Sequence, residues 1–432
     1  MSDHVFHDGE REIQTRLGLG DRVAQFAAQV VRPYMPQQHR DFFQQLPFVV
    51  MAARDQQARP WITLLAGNPG FIRSATDTTL DLNSGLHPGD PLAAALDDGA
   101  DVGLLGIELE SRRRNRLNGV LHRNADGSLQ VRTRQSFGNC PQYITQRDWI
   151  PAPSSRPPAT SQQTSSLTPS QSAWIAQADT FFIGSGYETP ASGAASGMDA
   201  SHRGGAAGFV EVTDQATLLF PDYSGNNHFN TLGNLIKDPR VALVFVDFAR
   251  GHLLQLTGTA RIDWDSAAIA QRPGAARLVQ VDIEAVVEQR NALPIRWKAP
   301  ATEPLKLQVT KRVYESDSIT SFILEGANAA ELPPFIPGQH LPVAVEIATT
   351  THRRTYSLSA APDRNQYRIS VKREPQGVVS RALHAQLQVG DHLTAGAPAG
   401  DFKLLAKPGP ITLISAGVGI TPVLSMLHQL GR

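Results

Sequence analysis

This sequence holds a single cysteine, Cys140. One thiol excludes an intrachain disulfide framework, and with it any cysteine-ligated zinc site or iron-sulfur cluster built from this chain's own residues. Net charge is also missing: 40 basic and 40 acidic residues cancel, so no global field draws nucleic acid or an anionic membrane, and partner choice rests on local sites. No stretch approaches the roughly 20 consecutive apolar residues that span a bilayer. The opening residues, MSDHVFHDGEREIQTRLG, are polar and have no apolar h-region. Clusters of His, Asp and Glu at metal-ligand spacing are absent as well. Together these absences predict a soluble, cytoplasmic protein with no metal centre and no nucleic-acid or membrane partner.

What is present is length, divided by two polar breaks. At 432 residues the chain is expected to form about two to four domains, at roughly 100–200 residues each. Residues 151–170, PAPSSRPPATSQQTSSLTPS, are too poor in apolar groups to fold alone and read as a linker. A weaker break at residues 294–304 precedes LKLQVTKRVY and SITSFILEG, whose alternation marks half-exposed strands.

Before that second break lies an internal repeat. Gly67, Gly70, Phe71, Ile72, Thr79, Leu80 and Leu82 recur as Gly205, Gly208, Phe209, Val210, Thr217, Leu218 and Phe220, at the one offset that carries Gly70 to Gly208. Val102, Leu104 and Gly119 then match Val241, Leu243 and Gly258 at an offset larger by one residue, as an insertion in a connecting loop would produce. Each copy reads as strand, turn, strand, a short helical stretch and a hairpin. The helical stretch is PLAAAL in the first copy and FNTLGNLIKDP in the second; the hairpin is exemplified by VALVFVDF, ARG, HLLQLTGTA. That pattern predicts a small antiparallel barrel, present twice.

The second copy, through SHRGGAAGFVEV, TLLFPDYSGNNHFNTLGNLIKDPRVALVFVDF and LLQLTGTARI, resembles the FMN-binding split barrel of pyridoxamine-phosphate-oxidase-like proteins. The resemblance implies that Arg203 binds the FMN phosphate, with Tyr223, Ser224, Asn226 and Asn227 in the adjoining turn. Gly225, Asn226 and Asn227 stand where that family usually has Arg or Lys. Such barrels usually dimerise around the flavin, so the tandem repeat implies an intrachain pseudo-dimer. The first copy carries Arg112, Arg113, Arg114 and Arg116 in the hairpin before Gly119, a reserve of guanidinium groups suited to phosphate. A solvated charged hairpin is the competing reading of that run. His202 is read either as an aid to phosphate or as a surface histidine, and Cys140 either as a reactive thiol or as a small buried hydrophobe.

The most specific pattern is Arg354-Thr355-Tyr356-Ser357-Leu358-Ser359, set between Pro337-Gly338-Gln339 and Gly377-Val378-Val379-Ser380. Period-two alternation places Arg354 and Tyr356 on one strand face, a cation for phosphate beside a ring that can stack on a flavin. Gly377, Val378, Val379 and Ser380 open a helix-like run, SRALHAQL, whose free amides favour a diphosphate. In this order, followed by GDHLTAGAPAGDF, the three elements resemble the flavin-binding barrel of the ferredoxin-NADP reductase family. The resemblance implies FAD as cofactor and places Ser357 near the reacting flavin nitrogen, with Tyr356 and Ser357 as the residues at the chemistry. Residues 411–415 are a continuous apolar run typical of a buried parallel strand. They lead into Gly417, Gly419 and an apolar helix that Thr421 is placed to cap and Pro422 to open. This resembles the start of the NAD(P)-binding domain of the same reductases, with further strands expected beyond residue 432.

The expected architecture is therefore mainly β with some α. Split-barrel repeats occupy 1–150 and 171–300 around a linker at 151–170. An antiparallel FAD-binding barrel follows at 301–408, and the first βα unit of a truncated nucleotide-binding α/β domain at 409–432. The expected function is a flavin-dependent oxidoreductase passing electrons from NAD(P)H through FAD to an acceptor the sequence does not identify, with FMN in the N-terminal barrels as a second centre. The alternative makes those barrels a docking or binding module without flavin, attached to a flavin reductase.

Overall fold

A computed structural model describes residues 5–124, 127–189, 193, 195–298, 304–347, 350–363, 365–400, 402–404 and 411–431. The boundaries expected at 300–301 and 408–409 fall outside these residues. The chain divides into two units, residues 1–299 and 300–432.

The first unit opens with helices α1 (Asp8–Arg16), α2 (Gly20–Val30) and α3 (Gln37–Gln45). The first repeat then supplies β1 (Phe48–Arg54), β2 (Pro60–Ala66), β3 (Ile72–Arg73), β4 (Thr79–Leu82), β5 (Asp101–Glu108), β6 (Arg113–Arg123) and β7 (Leu129–Asn139), in the sheet order β2-β1-β5-β6-β7-β4-β3. After β8 (Asp148–Pro151), β9 (Thr160–Thr164) and α4 (Pro169–Gln177) comes the second repeat. It consists of β10 (Thr180–Tyr187), β11 (Gly197–Gly204), β12 (Glu211–Asp214), β13 (Thr217–Tyr223), helix α5 (Asn230–Lys237), β14 (Arg240–Asp247), β15 (His252–Asp263), α6 (Ala267–Ala270) and β16 (Ala275–Arg290), in the order β11-β10-β14-β15-β16-β13-β12. Strand for strand the two orders are the same, so the sequence repeat is a repeat of topology.

The repeated glycines show why the match is so strict. A Cβ on Gly119 would lie 2.1 Å from the Arg132 carbonyl oxygen, and one on Gly258 would lie 2.1 Å from that of Asp282. Both sit at a β-bulge, in β6 and in β15, where two residues oppose one and the strand bends to continue the barrel. Gly70 and Gly208 both have positive φ, 94° and 87°, a conformation that favours glycine.

The central strands serve two cores at once. In β1, Val49, Met51 and Ala53 point into the first barrel while Phe48, Val50 and Ala52 point into a core shared with the second copy. In β14, Val241, Leu243 and Phe245 fill the second barrel while Ala242, Val244 and Val246 join the shared core. Strands buried on both faces become near-continuous apolar runs, which accounts for FVVMAA and VALVFV. The two copies thus pack face to face, and close backbone approach requires Gly103, whose Cβ would lie 2.6 Å from the Asp199 Cα.

Two expectations about the first unit are corrected. PLAAAL forms turns rather than a helix; between Pro91 and Asp97-Asp98-Gly99 there is too little chain for the costly first helical turn to be offset by propagation. Residues 151–170, expected as a linker, are also partly built into the fold. Strand β9 pairs along β16, and Ser161 Oγ donates to the Gly89 carbonyl at 3.2 Å in the first copy. Its Thr and Gln side chains bury little, yet an edge strand draws its stability from ladder hydrogen bonds, which are blind to apolar content. β17 (Ile295–Lys298) pairs with β8 at the end of this unit.

The second unit is a six-stranded antiparallel barrel of β18 (Leu305–Ser316), β19 (Ile319–Gly326), β20 (His340–Ile347), β21 (Thr350–Ser357), β22 (Gln366–Lys372) and β23 (His392–Ala395), ordered β21-β20-β23-β18-β19-β22. A bridge between Leu358 and Ile369 brings the outer strands together. Leu307, Phe322, Leu341 and Tyr367 form its core. Helix α7 (Val378–Gln386) buries Val379 and Leu383 in that core, and α8 (Ile420–Leu430) docks by Val423 and Met426, with Ser425 Oγ donating to the Ala360 carbonyl at 2.6 Å.

Residues 411–416 are not a strand, against expectation, and Ile414 is 87% exposed. A parallel strand takes its ladder bonds from neighbouring strands, and no described strand pairs with this one. Among the described residues no helix is long and apolar enough to cross a membrane.

Candidate functional site

In the first unit the copies meet at a cavity of about 80 Å³ lined by Arg114 and Arg116 of the first repeat and His202, Arg203, Tyr223 and Asn226 of the second. Alternation along β6 selects among the arginines. Arg114 and Arg116 turn to the second copy, whereas Arg113 turns away, stacking 4.6 Å over the Phe42 ring. Arg112 occupies the hairpin turn with φ of 59°.

Arg116 Nη1 donates to Asp199 at 2.8 Å and to the Asn230 side-chain oxygen at 3.0 Å, and its Nη2 donates to Ser201. Arg203 lies 3.3 Å from Asp222, which also faces Arg277 at 3.5 Å. Arg114 meets no carboxylate among the described residues: its Nε donates to the Cys140 carbonyl at 2.9 Å and its Nη1 lies 3.2 Å from His202 Nδ1. Burial first, then the neighbouring Arg116, pull the Arg114 guanidinium down to about 10, so it stays charged at neutral pH. Burial, reinforced by Arg114 and Arg203, pushes His202 well below the usual imidazole range. The ring is therefore neutral, its Nδ1 accepts from Arg114, and its Nε2 has no partner among the described residues. Four guanidinium groups here face two aspartates, Asp199 and Asp222. A buried excess of positive charge in a low-dielectric setting favours an anion.

The expected turn residues divide. Tyr223, Ser224 and Asn226 line the cavity, although Asn226 spends its side-chain oxygen on the His228 amide at 3.1 Å. Asn227 does not line it; its backbone is left-handed at φ 60° and its carbonyl accepts from Gln14 of α1 at 3.4 Å. Sequence reasoning missed Tyr143, which lies in the loop after β7, stacks on Tyr223 at 5.2 Å and 23°, and donates its hydroxyl to the Ser224 carbonyl at 3.0 Å. It also missed Ser201, Asn139 and Arg277. Serine, asparagine and a lone arginine in strands carry no spacing signal of their own.

The donor set suits a phosphate group. At about 80 Å³ the cavity is smaller than the roughly 300–1,000 Å³ of pockets that enclose a whole ligand of flavin size. The cavity therefore suits the phosphate end of a ligand rather than a fully enclosed isoalloxazine.

In the second unit, hairpin β20–β21 sets Arg354 opposite Val343 and Tyr356 opposite Leu341. Arg354 is exposed, and its Nη1 donates to the Arg353 carbonyl at 2.8 Å. Tyr356 is half-buried, packed against the barrel core, and burial raises its phenol. Ser357 follows, opposite His340. Helix α7 contacts β20 and begins after Gly377, so the amides of Val378, Val379 and Ser380 lack intrahelical partners. The Ser380 hydroxyl is otherwise engaged: it accepts from the Glu374 amide at 3.2 Å. Its contribution to a ligand is its amide.

Gly417 has φ of 54° and Gly419 is the N-cap of α8. Thr421 does not cap that helix. The helix starts two residues earlier than the capping role requires, and the Thr421 hydroxyl donates back to the Val418 carbonyl at 2.8 Å. A cationic phosphate contact, a stacking ring and a helix terminus at one barrel form a donor set that FAD would satisfy.

Comparison with known proteins bears on both units. Residues 304–404 match the family described as oxidoreductase FAD-binding domain, and residues 172–296 match the family described as pyridoxamine 5'-phosphate oxidase. A flavohemoprotein of Bacillus thuringiensis subsp. konkukian is 50% identical over 130 residues, 28% of this chain and 32% of the relative. One of Deinococcus radiodurans is 48% identical over 127 residues, 29% and 32% of the two chains. The chain thus spans about a third of the length of the curated relatives it matches. Among solved structures, the flavohem-like FAD/NAD binding domain of nitric oxide dioxygenase from Vibrio cholerae O1 biovar El Tor is 39% identical, covering 30% of this chain and 57% of that one with a TM-score of 0.29. Phthalate dioxygenase reductase is 36% identical, covering 30% and 40% with a TM-score of 0.28. Two domain families therefore meet in one chain: the pyridoxamine 5'-phosphate oxidase type over residues 172–296 and the oxidoreductase FAD-binding type over residues 304–404.

Proposed function

We propose that this chain is a flavin-dependent oxidoreductase in which the second unit holds FAD and relays electrons from NAD(P)H to an acceptor. The observation that carries this reading is the strand β21, which presents Arg354 and Tyr356 on one face within the region matched to the FAD-binding family. When bound, FAD supplies the redox chemistry, taking up hydride and passing electrons on. The residues orient it. The exposed Arg354 guanidinium makes the charge-assisted contact to phosphate. The half-buried Tyr356 ring would stack on the flavin and exclude water from one face, and Ser357 would offer a hydroxyl at the strand end. Amides of Val378, Val379 and Ser380 receive the diphosphate, with Gly377 as N-cap. The turn at Gly417 and Gly419 admits the nucleotide diphosphate of NAD(P)H.

For the first unit we read the arginine cavity as a phosphate-binding site rather than a flavin relay, a reading favoured by its small volume and by the stacked Tyr143 and Tyr223 in its wall. Flavin content tests the whole scheme. Acid release should yield FAD at one per chain. Absence of FAD from the refolded, FAD-saturated protein after gel filtration would overturn the assignment.

A further inference from the structure

A pseudo-dimer of two like barrels has two pseudosymmetric sites at its interface, and only one of them is described above. Strand pairing locates the other. Met51 pairs with Thr63 and with Leu104, as Ile183 pairs with Ser201 and with Leu243. Thr63 therefore corresponds to Ser201, and Leu65 to Arg203. Along the hairpin that ends at the bulge glycines Gly119 and Gly258, Arg114 corresponds to Leu253 and Arg116 to Gln255. Pairings of Leu117 with Ser136 and of Leu256 with Val286 make Asn139 correspond to Gln289.

Each arginine of the first site thus has an uncharged counterpart, Leu253, Gln255 or Leu65, and all three are buried. In place of a cavity the counterpart contains Asp90, whose carboxyl group accepts from Thr63 Oγ1, from Gln255 Nε2 at 3.1 Å, from Gln289 Nε2 at 2.8 Å and from the Leu92 amide at 2.9 Å. Gln289 Nε2 also donates to Gln255 Oε1, and Gln255 Nε2 to the Ile62 carbonyl at 3.0 Å. The network is closed on itself, and none of its polar side-chain atoms is without a partner. Asp90 is buried, and strand β9 passes beside it, so close that a Cβ on Gly89 would lie 2.4 Å from the Ser161 Cβ. By contrast the first site keeps buried polar atoms without partners, Arg203 Nε and His202 Nε2 among them.

We infer that the tandem pair binds one phosphate-monoester ligand per chain, at Arg114, Arg116 and Arg203, and that the pseudosymmetric site is permanently occupied by the Asp90 carboxyl group and its glutamine partners. The inference rests on the reading of the arginine cavity as a phosphate site. An internal carboxyl group with a full set of donors leaves nothing for an external anion to gain there.

Calorimetric titration of the FAD-saturated full chain with inorganic phosphate, and separately with FMN, tests this. One equivalent per chain is expected with phosphate. Arg114→Met should weaken it at least tenfold while Arg261→Ala, at an exposed arginine paired with Asp282, leaves it unchanged, and thermal unfolding should confirm that both variants are folded. Arg203→Met is the second variant should Arg114→Met fail to fold. Uptake of FMN with the same stoichiometry and the same loss in Arg114→Met would identify a nucleotide as the source of the phosphate; uptake of phosphate alone would identify a smaller monoester. Two equivalents per chain would overturn the one-site inference and leave the arginine site standing. No binding, or one equivalent untouched by both arginine variants, would overturn both.

Discussion

Arg354 and Glu10 show how differently single residues report themselves. Arg354 is legible in the sequence because it belongs to a spaced pattern, and its strand leaves it exposed. Arg354→Ala should lower FAD affinity roughly ten- to a hundredfold, the equivalent of about 1.5–3 kcal/mol for a hydrogen bond to a charged group. Flavin retained per chain after dilution and gel filtration measures it, and wild-type retention would remove Arg354 from the site. Glu10 carries no sequence signal, yet it is buried between α1 and α5, accepting from the His7 amide at 2.9 Å and from the Asn230 side chain. Burial, the dominant cause, raises its carboxyl group to about 8. The folded state therefore binds this proton more tightly than the unfolded chain does. Its contribution is fully present below the ordinary carboxylate range and is lost as pH rises towards 8, at up to about 1.4 kcal/mol per pH unit. Protease cleavage within α1 should accordingly speed up between pH 6 and about 8, and Glu10→Gln should flatten that dependence. A wild-type cleavage rate independent of pH over this interval would refute it.

Among the elements, the hairpins and their bulges were the most legible. Gly119 and Gly258 appear in the sequence as one repeated letter, and the structure explains the letter by a carbonyl oxygen 2.1 Å from where a Cβ would stand. Gly119→Ala and Gly258→Ala should each cost about 1–3 kcal/mol of stability, as overpacking does. Gly85→Ala, with nothing within 4 Å, is the control and should be close to neutral; chemical denaturation compares the three. Less legible were the short elements. PLAAAL looks as helical as FNTLGNLIKDP, but only the second copy's stretch has α1 to pack against, with Gly9 and Gly233 in such close approach that a Cβ on Gly9 would lie 2.2 Å from the Gly233 oxygen. Strand β9 was hidden for the opposite reason. Its sequence, TSQQT, has no apolar face to betray it, and its partner strand β16 lies more than a hundred residues away in the chain.

At the scale of the whole molecule, the shared core makes the two barrels of the first unit one cooperative body. Phe48, Val50 and Ala52 of one copy and Phe182, Ala242 and Val244 of the other have no alternative cover. Val244→Asp, which would bury a carboxylate in that core, should destabilise both copies together by more than about 3 kcal/mol. Hydrogen exchange of the β1 and β14 amides should then rise in step. A variant in which β14 exchanges faster while β1 keeps its protection would show that the copies fold independently. The sequence by itself determined the repeat, the antiparallel barrels and the Arg354–Tyr356 strand, because glycines at bulges, period-two alternation and fixed motif spacing are local constraints written in neighbouring residues. Only the tertiary structure decided which arginines face the interface, that Tyr143 joins the cavity wall, and that one of two like sites holds its own carboxyl group. Those outcomes depend on side chains brought together from distant strands, and the contact energies that select them have no counterpart in any short stretch of chain.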